Sequence, residues 1–300
     1  MIPVRVYCLF SSLLCMKYLT MKKIFFSLLL TLPFYLNAQV EKTLKQTILL
    51  KMPSTVYVSK NTGLDSMAGT RGAAVAWNPL LKKYYAGFAG NVSYPLAVFD
   101  VTGKLLSGED LTTMEDLRGL WYNPKLKKLC GNGYSDIGWF SYKLDAKGIP
   151  FEIEIDAAGM NQPGEQSIGV YNSNSNMVCF LFGQNIYVYN NDGTQDEGGT
   201  IRLYPGISKK EDINEGDLGE TLGEDYSSNV LIYTGIPNAE FGLLNVVERR
   251  VELYNQKTGL LTQKLILPAE LPTWPAFNFS YANGMYWAFD QDTRTWTGYK

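Results

Sequence analysis

The 300-residue chain balances 27 Lys and Arg against 29 Asp and Glu, is 13 % aromatic, and has no histidine. The missing histidine excludes Ser-His-Asp and Cys-His devices, a histidine general base and a histidine-ligated zinc. The balanced charge excludes the basic footprint of a nucleic-acid binder.

Residues 1–38 read as a leader. Met21-Lys22-Lys23 is a cationic start, and Ile24 to Leu36 is an apolar run too short to span a bilayer. Cleavage is expected near Ala38, with Met21 the expected true start. The mature chain, 39–300, is then expected to be one extracytoplasmic domain, periplasmic or secreted. No other apolar run reaches membrane length, so no span is expected in it.

The rest of the chain repeats. Ala73-Ala74-Val75-Ala76-Trp77-Asn78-Pro79 returns as Arg118-Gly119-Leu120-Trp121-Tyr122-Asn123-Pro124, each followed by a Lys-Lys pair. Phe99-Asp100-Val101-Thr102-Gly103 returns as Leu144-Asp145-Ala146-Lys147-Gly148. Short apolar runs and turns at such a period mark a β-propeller. An aromatic ends the first strand of each unit: Trp77, Tyr122, Tyr171, Tyr233 and Tyr281.

In chain order, unit one is predicted as strands 73–77, 83–88 and 96–100, with a short outer strand near Leu105. Unit two adds 128–132, 139–144 and 151–155, the last alternating as Phe151-Glu152-Ile153-Glu154-Ile155. Unit three has 177–182, 186–189 and 201–204. Unit four has 230–233, 241–247, 251–254 and 260–267. Unit five has 277–281, 285–289 and 295–299 and stops one strand short. An unpaired edge there would invite aggregation. Thr47-Ile48-Leu49-Leu50-Lys51-Met52 is the spare strand expected to close the ring, with Val56-Tyr57-Val58 a second candidate. The fold class is all-β, a β-propeller of five blades. Six blades is the alternative, and it would require 39–70 to form a whole blade.

Trp77-Asn78-Pro79 and Phe99-Asp100-Val101-Thr102-Gly103-Lys104 resemble the repeats of the NHL and gluconolactonase-like propeller superfamily. The resemblance spans 71–300 at repeat level and is weak in units three to five. It implies the fold and not an activity, and those families are usually six-bladed.

Propeller ligands sit in the central funnel, so the loops entering the first strands hold the candidate residues. These are Arg71, Glu115, Asp116, Arg118, Glu165, Gln166, Tyr226 and Trp274, a polar and aromatic mixture suited to a small molecule. Arg71 and Arg118 enter neighbouring blades at similar points and suit an anion. The structural reading is that they pair with Glu115, Asp116 or Glu165 and hold loops in register. Residues 207–228 break the period with seven acids. Asp212, Asn214 and Asp217 there resemble the start of a calcium loop, but Gly223 falls where the bidentate Glu belongs. A solvated loop is the favoured reading, calcium the alternative, and replacing 209–226 is expected to leave the core intact.

Cys130 and Cys179 occupy equivalent positions in adjacent repeats, expected to be free and buried, with a disulfide as the alternative. Asp100 and Asp145 recur at turns and read as turn acceptors. Asn91-Val92-Ser93 and Asn278-Phe279-Ser280 match the glycosylation sequon. No nucleophile elbow or phosphate loop appears. The function expected is a ligand-binding or interaction scaffold for a small molecule, glycan or protein, with no cofactor. The alternative is a divalent-metal-assisted hydrolase or lactonase-like enzyme with its site in the funnel.

Overall fold

The computed structural model describes residues 40–53 and 71–300. The leader and Val56-Tyr57-Val58 lie outside the described residues. The first two strands among the described residues are β1 (Val40–Thr43) and β2 (Gln46–Lys51), which join the sheets of the last two blades. Blade 1 holds β3 (Gly72–Asn78), β4 (Lys83–Phe88) and β5 (Leu96–Phe99). Blade 2 holds β6 (Leu117–Asn123), β7 (Lys128–Gly133), β8 (Trp139–Leu144) and β9 (Pro150–Ala157). Blade 3 holds β10 (Val170–Asn172), β11 (Met177–Phe182), β12 (Asn185–Tyr189) and β13 (Ile201–Arg202). Blade 4 holds β14 (Ile232–Tyr233), β15 (Phe241–Asn245), β16 (Arg250–Tyr254) and β17 (Leu261–Ile266). Blade 5 holds β18 (Phe279–Ala282), β19 (Met285–Asp290) and β20 (Thr295–Tyr299). The result is a five-bladed β-propeller.

The repeated asparagine makes the first turn. Asn78 Oδ1 accepts the N–H groups of Leu80 and Leu81, Asn123 those of Lys125 and Leu126, and Asn172 those of Asn174 and Ser175. All three asparagines are buried, so the turn supplies the partners their amide oxygens need. The first lysine of each Lys-Lys pair, Lys82 or Lys127, then takes a left-handed φ of 52° or 56°. Asp100 Oδ1 accepts from Thr102 and Lys104, and Asp145 Oδ1 from Lys147 and Ile149, the turn role read from sequence.

The ring closes as the spare strand demands. β2 pairs antiparallel with β20, with Leu49 opposite Thr297 and Leu50 opposite Trp296. Leu50 is fully buried among Phe99, Trp287, Phe289 and Trp296 at the seam between blades 5 and 1. There Tyr84 meets Trp287 at 5.1 Å and Phe88 meets Phe289 at 5.2 Å, both edge to face. Asn278 Oδ1 accepts the Gly72 N–H, and Ser280 Oγ accepts the Val75 N–H, across the same seam.

Two details differ from the sequence reading. Residues 40–43, given no role there, pair in parallel with β17 as a fifth strand of blade 4. With β1 and β2 serving blades 4 and 5, no sixth blade forms from residues 40–51. The outer strand expected near Leu105 is only a single bridge to Phe99, because the chain folds back and caps the edge through bonds such as Leu106 N–H to the Val98 carbonyl. Blade 1 is therefore three-stranded.

Cys130 and Cys179 are both free and buried, and burial pushes each thiol up to about 12. Among the described residues no helix is long and apolar enough to cross a membrane.

Candidate functional site

The first strands of the five blades line the channel, which opens differently at its two ends. Where the chain enters these strands, loops of blades 1, 3, 4 and 5 surround a cavity of about 690 Å³. Its wall includes Arg71, Glu165, Gln166 and Trp274, four of the eight funnel residues named from sequence. At the far end, a cavity of about 300 Å³ is walled by the later residues of the same strands.

The two arginines have different jobs. Counted back from Asn78 and Asn123, Arg71 is equivalent to Asp116, and Arg118 to Ala73. They do not enter their blades at the same point. Arg118 is only 4 % exposed. Its guanidinium pairs with Asp116, its Nε donates to Gln166 Oε1 at 2.7 Å, and it stacks 4.7 Å from the Tyr134 ring. That is the loop-holding role. Arg71 is exposed on the cavity wall, and no hydrogen bond or ion pair of its guanidinium is found among the described residues. Glu115 does not line the cavity; its carbonyl accepts the Leu117 N–H.

Glu165 is the only carboxylate in the cavity wall among the described residues, and Tyr134 donates to its Oε2 at 2.7 Å. That bond holds the Tyr134 phenol above its ordinary range. Trp274 stands half-buried in the wall, and its enclosed indole Nε1 has no acceptor among the described residues.

Sequence reasoning missed three wall residues. Asn229 ties blade 4 to blade 3 by donating to the Gln166 carbonyl at 3.0 Å, while its Oδ1 accepts the Phe277 N–H at 3.0 Å. Phe277 and Asn278 both take left-handed φ, 58° and 61°, which a bulky aromatic rarely adopts. Asn278 looked like a sequon. It is buried, with its amide oxygen committed to Gly72.

Tyr226 lies elsewhere. Its hydroxyl donates at 2.9 Å to Glu252 Oε2, a fully buried carboxylate that also accepts from Tyr254 at 2.5 Å and pairs with Arg250. The acidic loop is thus pinned to blade 4. Its backbone is used too: Val246 N–H donates to the Asp225 carbonyl at 2.7 Å. Removing 209–226 would strip these bonds, contrary to the expectation from sequence. Earlier in the loop, Asn214 N–H donates to Asp217 Oδ2 at 2.7 Å, and Asn214 Nδ2 to the Asp212 carbonyl at 3.0 Å. Arg202 holds the loop through the Asp217 and Gly219 carbonyls. Among the described residues no group of three or more His, Cys, Asp or Glu is placed to hold a metal ion.

Fold and site together define a five-bladed propeller with a loop-lined mouth at one end of its channel. In sequence, no family model and no curated protein matches the chain. In structure it is similar to a glutaminyl cyclase of Myxococcus xanthus, at a TM-score of 0.53 and 10 % identity over 88 % of this chain and 98 % of that one. It also overlaps a chain of a nidogen/laminin complex, at a TM-score of 0.36 and 10 % identity over 65 % and 63 %. The first likeness shows the propeller fold. The NHL and gluconolactonase-like resemblance rests on the repeat motifs alone.

Proposed function

We propose that the chain is an extracytoplasmic binding protein that takes a small anionic molecule with an apolar or aromatic part at the loop-lined mouth. The observation that carries this reading is Arg71. It is a cation without a described protein partner on the wall of a cavity of about 690 Å³, and guanidinium groups suit carboxylate and phosphate. Trp274, Phe277 and Phe182 in the same wall supply the apolar surface. The leader read at 1–38 supports the compartment.

A thermal-shift screen of small carboxylates and phosphates against parent protein and Arg71→Ala tests it. A hit on the parent that Arg71→Ala loses is the expected result. Hits kept by the variant, or none in the panel, would count against the anion site.

A second, enzymatic reading is favoured by the glutaminyl cyclase neighbour. Glu165 would be its acid or base, since among the described residues it alone brings a carboxylate to the cavity wall. Release of ammonia from a peptide with N-terminal glutamine, lost in Glu165→Gln, would establish it. The metal-assisted alternative asks for three or more converging carboxylate or amide oxygens. Among the described residues this wall offers one carboxylate, and the amide oxygens of Gln166, Asn229 and Asn278 are committed to Arg118, Phe277 and Gly72, so binding is the reading kept.

A further inference from the structure

We propose that the far end of the channel is a second ligand site, formed to take a quaternary ammonium group. Seven aromatics line it among the described residues, and every blade's first strand supplies at least one: Trp77, Trp121 and Tyr122, Tyr171, Tyr233, and Phe279 and Tyr281. The cavity measures about 300 Å³, and among the described residues its lining contains no Asp, Glu, Lys or Arg. Trp77, Tyr171 and Tyr281 are half-buried, so each keeps part of its surface open. Trp77 is backed by Tyr84 at 4.5 Å and Tyr281 by Tyr286 at 5.0 Å, which fixes both rings in place.

The charge pattern selects the ligand. Aromatic faces carry negative quadrupole charge and attract cations, so an anion has no reason to stay. A metal ion or a primary ammonium is strongly hydrated, and with no carboxylate in the lining nothing replaces its water. A methylated ammonium sheds water easily, and ring faces compensate it. A polyhydroxylated ligand is poorly served, because the hydroxyls of Tyr122 and Tyr233, which have no partner among the described residues, are enclosed, and other polar side chains are engaged. Ser280 Oγ bonds the Val75 backbone, Thr234 Oγ1 donates to the Ala239 carbonyl, and Asn283 Nδ2 donates to the Tyr84 hydroxyl. The two ends of one channel thus differ in kind: a cationic loop mouth, and an uncharged aromatic mouth.

The test uses choline and its uncharged carbon isostere, 3,3-dimethylbutan-1-ol, titrated into the full chain by calorimetry and tryptophan fluorescence. Choline should bind saturably, and the isostere about tenfold more weakly or worse, because only the cation gains from the ring faces. Trp77→Leu and Tyr281→Leu should each weaken choline binding; two variants are made in case one fails to fold. Arg71→Ala at the opposite mouth should leave it unchanged, which separates this site from the anion site. Equal affinity for choline and isostere would mean a merely apolar pocket and overturn the proposal. So would absence of saturable choline binding at millimolar concentration, or binding that a folded Trp77→Leu variant retains in full.

Discussion

Arg118 and Gln166 meet across the junction of blades 2 and 3, the guanidinium Nε donating to the amide oxygen at 2.7 Å. The bond spends Arg118 on the scaffold and sets Gln166 in the wall of the loop-lined mouth. With Asp116 and Tyr134 also engaged, the arginine is a brace. Arg118→Ala should therefore lower stability by about 1–3 kcal/mol, since it strands a partly buried carboxylate and removes charge-assisted hydrogen bonds. Arg71→Ala, which touches no described partner, should stay within about 0.5 kcal/mol of the parent. Urea unfolding of both variants decides it, and equal losses would refute the division of roles.

Leu50 and Leu49 are neighbours with opposite fates. Leu50 is fully buried in the closing seam, while Leu49 is 47 % exposed. Leu50→Ala should cost about 2–5 kcal/mol, the range for a buried leucine cut to alanine. Leu49→Ala should cost far less. Deleting 39–53 should uncover the edge of β20 and drive aggregation. A truncated protein that stays monomeric with an unchanged melting temperature would show that closure matters little.

The closing strand also explains a repeat glycine. Gly103 has φ +86°, and a Cβ built on it would collide with the Leu49 carbonyl oxygen. The glycine visible in the Phe-Asp-x-x-Gly turn serves both that turn and the passage of β2. Much of the fold was legible in this way, because turns and strand alternation are local. The Asn78 and Asn123 turns and the five repeats follow from residues close in sequence, and the closing strand follows from the one that unit five lacks. What stayed hidden was non-local. Nothing near residues 40–43 announces a parallel partner in β17. The sequon at Asn278 conceals a buried acceptor whose donor, Gly72, lies at the other end of the domain. The repeat register already sets Arg71 and Arg118 at different positions, but only the fold tells a wall residue from a brace.

Cys130 and Cys179 should resist modification. Both thiols are buried and pushed up to about 12, so at neutral pH the reactive thiolate is scarce. A thiol reagent should label neither in the native protein, and both after denaturation without reductant. Labelling that requires reductant would reveal a disulfide instead.

Asp100 offers a small pH signature. Its carboxyl is held below the usual carboxylate range, first by the Thr102 hydroxyl and then by the backbone N–H groups of Thr102 and Lys104. A lowered folded pKa means the contribution is complete above the ordinary carboxylate range and is lost as pH falls through the folded value. Asp100→Asn should thus narrow its stability gap to the parent as the solution is acidified below about pH 4. A gap that stays constant with pH would show that the Thr102 bond does not depend on the charge.

The acidic loop makes the last test, because its two halves are held differently. The first half bonds mainly to itself and to Arg202, a half-buried residue that also donates to Gln184 Oε1 at 2.7 Å and keeps that bond without the loop. Replacing 209–219 with a Gly/Ser linker should cost little, since closure entropy changes slowly with loop length. Extending the replacement to 226 removes Tyr226, and the buried Glu252 then loses one of its hydrogen bonds. That longer change should cost about 1–3 kcal/mol more, and Tyr226→Phe alone should reproduce a good part of it. Millimolar calcium should move the melting temperature of neither parent nor shortened protein. A calcium shift confined to the parent would make Asp212, Asn214 and Asp217 a metal site. Equal stability of the two linker variants would mean that the Tyr226 to Glu252 bond does not pin the loop.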